Sequence, residues 1–490
     1  MAAKGNVDLL FNIDAQSAKP LYQQVYEQVR DAAFAGFMTE GQRLPSIRNL
    51  SKELGLSHTT IEQAYLQLSV EGIVRTVPRS GYVVEHLDTS FLQLGASDNE
   101  EAVLKIESAR NRDAFYAEHS QGGKVPYDFS YANLPADSFP VKTWRQLINE
   151  VLYANTSPAM ARYSYADEPT ALSCELARYL ARVRGVNCQP SQILPQAGTD
   201  GALGTVLQLF DRDRHLIGME EPGYATVRET AHRLGFSLAA LPTDKGVDTF
   251  LEAIETSHPK IIFTTPSHQF PTGKVLQLDA RTRLLEWARK NDAYVIEDDS
   301  CNEYRYGTRP IPSLQSLDAF NRVIYLCNFS KVLSPSMRVA YLVLPPKLLS
   351  RYLRLFNYAH PSVPWLEQEV LARFIQEGHL DQQVRRMTAS NRKRHDTLLS
   401  ALREAFGDHL DIEGAHAGLH FYVTVHNGMT QKELLSSAYD QGVALYGTKR
   451  FWFSRPAPEA KVMVGFSSID PDDISVGVAA LKKAWLPNQS

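Results

Sequence analysis

The spacing of apolar residues predicts two short helices near the start of the chain. From Leu21 onward, apolar residues recur every three or four positions, and Gly36 stands where a left-handed cap would end the helix. The run 43–50 opens a second helix, because Pro45 suits a first helical turn, and Gly55 closes it.

A third helix and a small hairpin follow. Ser57 caps this helix, which ends at Gly72. Its apolar residues share one face, so short and polar side chains on the other faces can approach base edges. Alternating apolar residues in 73–76 and 82–85 predict a two-stranded wing with a basic tip. Helix, helix, helix and wing together predict a winged helix-turn-helix domain, helical with a small β wing, over residues 1–85.

The rest of the chain has two regions that differ in their pattern of polar and apolar residues. Residues 86–125 are mostly polar, which predicts a linker. Over residues 126–490, short apolar runs alternate with helical segments, as is typical of an α/β domain. The runs expected to form buried parallel strands are 216–219, 261–264, 294–297 and 323–327.

Composition narrows the class of protein. The chain has 490 residues, 44% of them hydrophobic and 22% charged, which suits two or three globular domains. Its net charge of −4 confines any DNA contact to a local patch. No run approaches the roughly 20 apolar residues of a membrane helix, and no secretory signal begins the chain. We therefore expect a soluble cytoplasmic protein without a metal site, whose four cysteines are reduced and buried.

Polar residues that follow the predicted strands carry the candidate chemistry, because ligands collect beyond the carboxyl ends of parallel strands. Gly198 and Thr199 precede an apolar helix, 202–210, and place free N–H groups at its positive end, as a phosphate requires. Tyr224 follows a strand and a turn, and its ring could stack on a flat heterocycle. Plain packing is the alternative for a tyrosine in a turn.

Three later segments are more distinctive. The run 265–273 consists of polar, proline and glycine positions broken only by Phe270, and we expect it to have no use in a core. Asp298 and Asp299 follow a predicted strand, where a buried carboxylate would need a cationic partner such as a protonated pyridine nitrogen. A helix N-cap is the alternative reading of that pair. Lys331 supplies an amine whose pKa burial would lower, and Arg338 supplies a fixed cation for a phosphate.

The first part of the chain resembles the GntR family of bacterial regulators over residues 15–85. The resemblance rests on Leu-Pro-Ser-x-Arg, Leu-Gly-Leu-Ser-x-x-Thr, Ala-Tyr-x-x-Leu-x-x-Glu-Gly and a glycine in the wing. It implies that Arg48 and the segment Ser57–Thr60 enter or flank the major groove of an operator. It also implies that Arg43, Arg75 and Arg79 meet phosphates. The DNA-binding set it implies is Arg43, Ser46, Arg48, Ser57, His58, Thr59, Thr60, Arg75, Arg79 and Gly81. His58 stands where the family commonly has arginine, so the operator is expected to differ.

The second part, residues 125–485, resembles fold-type I aminotransferases. The motifs are Tyr163-Ser164-Tyr165, Gly198-Thr199, Pro222-Gly223-Tyr224, Ser267-His268-Gln269-Phe270-Pro271-Thr272-Gly273, Glu297-Asp298-Asp299 and Phe329-Ser330-Lys331 with Arg338. The Ser-His-Gln-Phe-Pro-Thr-Gly form, joined to a GntR-like head, is most similar to the MocR/GabR regulators.

This resemblance implies a pyridoxal 5'-phosphate site. Lys331 would hold the cofactor as a Schiff base, Asp298 or Asp299 would pair with its ring nitrogen, and Tyr224 would stack on the ring. Ser330, Arg338, Gly198 and Thr199 would hold the phosphate, and His268 would belong to the same site. Tyr163 or Tyr165 would reach the site from a second subunit, so a head-to-tail homodimer is expected, with two readers on separated half-sites.

The chain departs from the aminotransferase pattern at several positions. Ser300, Cys301 and Asn302 follow the acidic pair where aminotransferases usually offer a tyrosine, and Asn328 replaces a serine or threonine before the lysine. Met463 falls near the position of the arginine that binds a substrate carboxylate. The arginines that could replace it are Arg228, Arg450 and Arg455, each expected to be a solvated surface charge.

These features support three hypotheses. The first is a transcription regulator that binds pyridoxal phosphate and senses an amine or amino-acid-type effector, or the cofactor itself, to control operator binding. The second is a working aminotransferase with an appended DNA-binding module, against which Met463 argues. The third is a DNA-binding scaffold that holds no cofactor, which is disfavoured because Lys331 and the acidic pair are both present.

Overall fold

The structure is a computed structural model that describes most of the chain. The described residues are 11–14, 16–17, 19–78, 81–87, 125–131, 133–154, 160, 168–307, 311–357 and 359–486. The chain forms two compact units, an N-terminal unit Met1–Gly122 and a C-terminal unit Gly123–Ser490. Residues 88–124, which hold most of the predicted linker, lie outside the described residues.

The N-terminal unit contains three helices and a hairpin. The elements are α1 (Leu21–Phe34), α2 (Ile47–Leu54), α3 (His58–Val70), β1 (Val74–Val77) and β2 (Gly81–Val84). The two strands pair antiparallel. The core includes the predicted face of α3, namely Ile61, Ala64, Tyr65 and Leu68, all fully buried. The predicted winged helix-turn-helix is confirmed in this arrangement.

The prediction that Pro45 occupies the first turn of the second helix is wrong. That helix begins at Ile47, and the side chain of Ser46 caps it by accepting the backbone N–H of Asn49 at 3.2 Å. Pro45 precedes the cap and accepts, through its carbonyl oxygen, a 3.1 Å hydrogen bond from the Tyr65 hydroxyl. The segment before α2 is therefore tied to α3 rather than wound into a helix.

The C-terminal unit is built around a seven-stranded sheet. Its strands are β4 (Ile193–Ala197), β5 (Ile217–Glu221), β6 (Leu238–Pro242), β7 (Ile261–Thr264), β8 (Tyr294–Asp298), β9 (Val323–Asn328) and β10 (Val339–Val343). Their order is β4-β10-β9-β8-β7-β5-β6. The four predicted strands are confirmed as buried strands that pair parallel, whereas β10 is antiparallel to both neighbours.

A second, antiparallel sheet follows, in the order β11-β12-β15-β14. Its strands are β11 (Leu410–Glu413), β12 (His420–Val425), β14 (Tyr446–Gly447) and β15 (Lys461–Gly465). The short strands β3 (Tyr127–Asp128) and β13 (Val443–Ala444) pair parallel with each other. This pairing places the start of the C-terminal unit beside the last third of the same unit.

Helices cover the sheets of the C-terminal unit. They are α4 (Val141–Ala154), α5 (Ala171–Arg184), α6 (Gly198–Leu207), α7 (Ala225–Arg233), α8 (Val247–Ser257), α9 (Leu278–Lys290), α10 (Leu314–Leu317), α11 (Pro346–Leu355), α12 (Trp365–Gln376), α13 (His379–Phe406), α14 (Gln431–Asp440) and α15 (Pro471–Trp485). Helix α6 starts four residues before its predicted start and ends three residues early, so Gly198 and Thr199 are its first residues rather than a preceding loop. In the described part of the chain, no helix combines the length and the apolar character needed to cross a bilayer.

The cysteines are all free thiols, but the prediction that all four are buried is wrong for two of them. Cys301 and Cys327 are buried, whereas Cys174 and Cys188 are partly exposed. Among the residues that the structure describes, no cluster of three or more histidine, cysteine or carboxylate side chains could hold a metal ion.

Candidate functional site

A cavity of about 450 Å³ opens in the C-terminal unit. Its lining comes largely from residues at or after the ends of β4, β5 and β9, where ligands of such sheets bind. The lining residues are Thr199, Asp200, Tyr224, Thr226, Glu229, Arg233, Asn328, Ser330, Lys331, Pro335 and Arg338. Five predicted site residues, Thr199, Tyr224, Ser330, Lys331 and Arg338, therefore meet in one cavity.

One end of the cavity is positively charged. The first residues of α6 leave backbone N–H groups without helical partners, which gives this helix end a partial positive charge. Arg338 lies directly against Gly198, where φ is +76° and an added Cβ would overlap the guanidinium group. Gly198 thus lets a guanidinium and a helix N-terminus converge, as phosphate recognition requires.

Lys331 lies beside an aromatic ring at the other side of the cavity. Its Nζ is 4.9 Å from the centroid of the Tyr131 ring. The buried Tyr304 hydroxyl donates a 2.6 Å hydrogen bond to the Lys331 carbonyl oxygen, which holds the backbone at this point. Burial lowers the pKa of Lys331. More of the amine is therefore neutral at a given pH, and the neutral form is the nucleophile.

Asp299 is fully buried and already paired with a cation. The Arg184 guanidinium donates to both of its carboxylate oxygens, at 2.6 and 2.9 Å, and the Tyr325 hydroxyl donates to it at 2.8 Å. Both members of the ion pair are almost inaccessible to solvent. The Asp299 carboxylate therefore serves the fold rather than a ligand.

Its neighbour Asp298 has no such cation among the described residues. The Asp298 carboxylate accepts the backbone N–H of Ser300 at 3.0 Å, and its side chain is 7% exposed. Burial raises the pKa of Asp298 to about 6. Asp298 is not among the residues that line the cavity, but its charge acts on the lining residue Tyr224. A buried carboxylate without a cation fits a protonated ring nitrogen, so of the two predicted alternatives the geometry favours Asp298.

The segment 265–273 is buried, so the expectation that it has no use in a core is wrong. Its polar groups are hydrogen-bonded inside the protein. The Gln269 side chain donates to the Pro222 carbonyl oxygen at 2.8 Å and accepts from the Thr272 hydroxyl at 2.5 Å. The Thr265 hydroxyl accepts the backbone N–H of Phe270 at 3.0 Å. A polar run can be interior when its members satisfy one another.

His268 is not among the residues that line the cavity, although it was expected in the cofactor site. Its ring centroid is 5.7 Å from that of His420, which lies 4.9 Å from the Tyr131 ring. Gly418 accommodates the His268 ring, since a Cβ there would overlap it. Burial lowers the pKa of His268 to about 3. The His268 side chain thus supports the rings beside Lys331 from a buried position.

Asn328 links three strand ends around the cavity. Its side-chain amide donates to the Ser300 hydroxyl at 2.7 Å and to the Thr199 hydroxyl at 3.1 Å, and its carbonyl oxygen accepts the backbone N–H of Ser330. The substitution of asparagine for serine or threonine therefore has a structural use here. It fixes the cup that Thr199 and Ser330 form.

Met463 is fully buried on β15, inside a cluster with Phe270, Phe451 and Trp452. The Tyr224 ring packs on this cluster through Phe270, with ring centroids 5.8 Å apart. The side of the site that Met463 occupies is therefore apolar and aromatic.

The three arginines considered as replacements for a carboxylate-binding cation all have partners inside the protein. Arg228 donates to the Trp452 carbonyl oxygen at 3.1 Å, and Arg450 donates to the Tyr446 hydroxyl at 2.7 Å. Arg455 pairs with the buried Glu221 carboxylate at 3.3 Å and also with Asp244. The expectation that they are solvated surface charges is wrong, because each is partly buried and held in place.

The N-terminal unit presents most of its predicted DNA-binding residues on its surface. Arg43, Arg48, His58 and Thr59 are exposed. Ser57 caps α3 by accepting the backbone N–H of Thr60 at 3.1 Å. The cap leaves the His58 side chain at the exposed start of α3, which is the end of a recognition helix that meets bases.

The wing carries a predicted phosphate-binding arginine that is paired with a carboxylate. Arg75 on β1 pairs with Glu85 at 2.9 Å, and both side chains are substantially exposed. Exposed pairs contribute little, so a phosphate can compete for Arg75. Gly81 is exposed with φ +81° at the start of β2. Arg79 lies outside the described residues, as do Tyr163 and Tyr165 of the C-terminal unit.

Sequence reasoning missed two buried anchors of the site. Arg184, which holds Asp299, lies 115 residues before it, and only its place in the last turn of α5 before Gly185 marks it. Glu221 at the end of β5 accepts the backbone N–H groups of Phe453 and Ser454 at 2.6 and 2.7 Å. An acidic residue at a strand end was the available signal, but its partners are more than 230 residues away.

Comparisons with known proteins agree with these two units. Residues 21–84 match the family of bacterial regulatory proteins of the gntR type, and residues 128–468 match aminotransferase class I and II. The uncharacterized HTH-type transcriptional regulator YdeL of Bacillus subtilis (strain 168) is 33% identical over 468 residues, which cover 95% of this chain and 97% of that protein. The probable rhizopine catabolism regulatory protein MocR of Rhizobium meliloti is 30% identical over 487 residues, covering 98% and 96%.

A solved structure supports the fold of the C-terminal unit. The crystal structure of a multiple substrate aminotransferase from Thermococcus profundus matches with a TM-score of 0.68 and 24% identity, over 76% of this chain and 94% of that one.

The fold and the site define a transcription regulator in which an aminotransferase class I and II domain is joined to a gntR-type DNA-binding domain. The chain belongs to the MocR-type family of these regulators. Its cofactor is pyridoxal phosphate, and the cavity fits that group, since its lining offers the cation Arg338, a lysine of lowered pKa and the Tyr224 ring.

Proposed function

We propose that the C-terminal unit holds pyridoxal phosphate at Lys331 and senses a primary amine there, and that this event changes the affinity of the N-terminal unit for an operator. The observation that carries the proposal is the convergence of Lys331, Tyr224 and Arg338 around one cavity in a chain that also has a DNA-binding unit. By linkage, the effector must bind one conformation of the protein more tightly than the other.

Each side chain has a definite task in this proposal. Arg338 and the start of α6 at Gly198 and Thr199 bind the phosphate, with Ser330 beside them. Asp298 stabilises a positive charge on the ring nitrogen. Tyr224 orients the ring by contact with its face. When bound, the cofactor supplies an aldehyde carbon that condenses reversibly with primary amines.

The protein's own groups prepare Lys331 for that chemistry. The Tyr304 hydroxyl fixes the backbone of Lys331, and the Tyr131 ring shields the amine from water. The lowered pKa of Lys331 means that its amine gives up a proton readily. The lysine thus stays competent to exchange with an incoming amine.

For the N-terminal unit, we assign base contacts to the start of α3, around His58, with Arg48 beside it, and phosphate contacts to Arg43 and Arg75. A protein that binds chromosomal DNA in this way acts in the cytoplasm. A head-to-tail homodimer would place two such units on separated half-sites, and in it Tyr163 or Tyr165 would reach the cofactor site of the partner.

An absorbance spectrum with a reduction step tests the cofactor proposal. The full chain with added pyridoxal phosphate should show a visible band that borohydride removes, and mass spectrometry should then find the cofactor on Lys331. Lys331→Ala should lack the band, whereas Lys290→Ala, which removes an exposed lysine of α9, should keep it. A band that survives in Lys331→Ala would refute the assignment.

Operator binding tests the regulatory half of the proposal. Electrophoretic or anisotropy titration with operator DNA should give different affinities for the cofactor-loaded and the cofactor-free protein, and between loaded protein with and without amine. Identical affinities in all three states would disprove the coupling.

A second candidate function is aminotransferase turnover, which the nearly complete set of Lys331, Asp298 and Tyr224 favours. The buried Met463 and the committed arginines weigh against a substrate carboxylate at this site. Steady turnover of an amino acid with 2-oxoglutarate at about 1 s⁻¹ or faster would establish an enzyme, since typical kcat values begin near there. Single slow half-reactions would not.

A further inference from the structure

An aromatic cluster lies beside Lys331 and is called the aromatic wall here; Tyr224 is its member that lines the cavity, and Tyr131 is its member that contacts the Lys331 amine. The other members are Phe270, Phe451 and Trp452. Ring centroids of Tyr131 and Phe270 are 5.3 Å apart, and those of Phe270 and Phe451 are 4.9 Å apart. The Tyr131 ring is also the ring that contacts the Lys331 amine. Tyr224 is partly buried and can meet a ligand in the cavity, whereas Phe270, Phe451 and Trp452 are buried.

Three arginines around this wall have committed partners. The guanidinium of Arg455 lies 4.6 Å from the centroid of Trp452 and bridges two carboxylates, and Arg228 is held by the Trp452 carbonyl oxygen. Arg450 donates to Tyr446 and lies 3.9 Å from the Glu229 carboxylate. A ligand carboxylate would have to displace one of these partners, at the cost of leaving it unpaired.

The rim of the cavity also disfavours an anion. Asp200 and Glu229 line it, and the Glu229 side chain is 58% exposed. Arg233, the cation nearest to Asp200, is already paired with it at 2.5 Å. A bound phosphate would use the charge of Arg338. Because Arg233 and Arg450 lie against Asp200 and Glu229, these charges balance, and neither arginine is left to bind a ligand carboxylate.

From the wall and the committed arginines, we infer that the effector is a primary amine with an aromatic or apolar body and no carboxylate. The body packs on the aromatic wall, and the amine nitrogen reaches the position of the Lys331 amine. This inference rests on the proposed function and specifies the chemical class that it senses.

A matched pair of ligands tests it on the cofactor-loaded full chain. 2-Phenylethylamine and L-phenylalanine differ only in the carboxylate, and each is titrated while the visible band of the cofactor is followed. We expect the amine to bind at least about tenfold more tightly, a ratio that corresponds to about 1.4 kcal/mol. Equal affinities, or tighter binding of phenylalanine, would overturn the inference and leave amine sensing intact.

Failure of the proposed function gives a different result. If the loaded protein shows the lysine-dependent band but neither ligand changes it, amine sensing is wrong, and the inference falls with it. The outcome in which only phenylalanine changes the band contradicts the inference alone.

Two substitutions of cavity-lining residues, with one control elsewhere, test whether charge sets the preference for the amine. Glu229→Gln should narrow the preference for the amine by roughly two- to fivefold, as expected for removal of one exposed charge. Glu252→Gln, which removes an exposed carboxylate from α8, should leave the preference unchanged. Thr226→Arg, on the partly exposed lining residue Thr226, should raise the affinity for phenylalanine. If neither Glu229→Gln nor Thr226→Arg changes the preference for the amine, charge does not set it.

Discussion

Replacing Asp298 by asparagine should stabilise the cofactor-free protein, relative to the parent, more at pH 8 than at pH 4.5. The same substitution should weaken cofactor binding. Burial raises the pKa of Asp298 from its ordinary value of 3.8 to about 6, because the described residues bring it no cation. The folded state therefore binds more protons than the unfolded state between these two values. Stability falls as pH rises through this window, and the loss is complete above the folded pKa.

The size of the effect follows from the gap between the two pKa values. A gap of roughly 2 units corresponds to about 3 kcal/mol of destabilisation at pH 8, of which about 2 kcal/mol develops between pH 4.5 and pH 8. Asparagine does not ionise, so the variant lacks this part of the pH dependence. The comparison across pH is independent of how well the new amide is hydrogen-bonded.

Asp299→Asn is the matched control, one residue away on the same chain. It removes the charge that pairs with the buried Arg184, and breaking a buried pair by removing one partner typically costs about 3–5 kcal/mol. At pH 8 we therefore expect Asp298→Asn to raise the free energy of unfolding and Asp299→Asn to lower it. The contrast separates a carboxylate that awaits a ligand from one that holds the fold together.

Tryptophan fluorescence during urea unfolding of the full chain measures both variants. All five tryptophans lie beyond residue 122, so the signal reports the C-terminal unit alone. The experiment is run on cofactor-free protein at pH 4.5 and pH 8, and cofactor affinity is measured separately by absorbance. If parent and Asp298→Asn show the same change in unfolding free energy between the two pH values, the buried, unpaired state of Asp298 is refuted.

Three further predictions concern the two binding sites. Gly198→Ala should weaken cofactor binding at least about tenfold by absorbance titration, because its Cβ would overlap Arg338, whereas Gly204→Ala in the same helix has open space and should retain affinity. Arg48→Ala should relax operator specificity or lower the salt dependence of binding, with a slope change of about 0.9 if it meets a phosphate; an unchanged salt slope and specificity would exclude a DNA contact. Glu62→Gln, on the exposed side of α3, should tighten binding to operator and unrelated DNA alike, and selective tightening would mean that Glu62 reads a base.

The parts of the fold that could be predicted are those with a local cause. Residues 261–264 form a strand with the predicted bounds, because four consecutive apolar or β-branched residues suit a strand buried on both faces. Gly55 ends α2 in the left-handed conformation, with φ 65°, as a glycine after an apolar periodicity predicts. Such features depend on a few neighbouring residues.

The parts that could not be predicted depend on partners far along the chain. Asp298 and Asp299 are indistinguishable in sequence, and their roles separate only because Arg184, 115 residues earlier, reaches one carboxylate and not the other. The segment 265–273 has the composition of an exposed loop, yet it is interior because Gln269 and Thr272 satisfy one another's hydrogen bonds. Composition shows that a polar segment needs hydrogen-bond partners, and only the folded structure shows which residues provide them.

The coupling between the two units can be measured from either side, because linkage is reciprocal. An amine that changes operator affinity by some factor must have its own affinity changed by operator DNA by the same factor. Coupling free energies of about 1–3 kcal/mol would make this factor roughly 5–150. Titration of the cofactor band with amine, with and without operator, gives the factor at Lys331, and operator titration with and without amine gives it at the DNA-binding unit. Unequal factors would mean that the amine acts at a second site or changes the oligomeric state, since a single effector site cannot produce them.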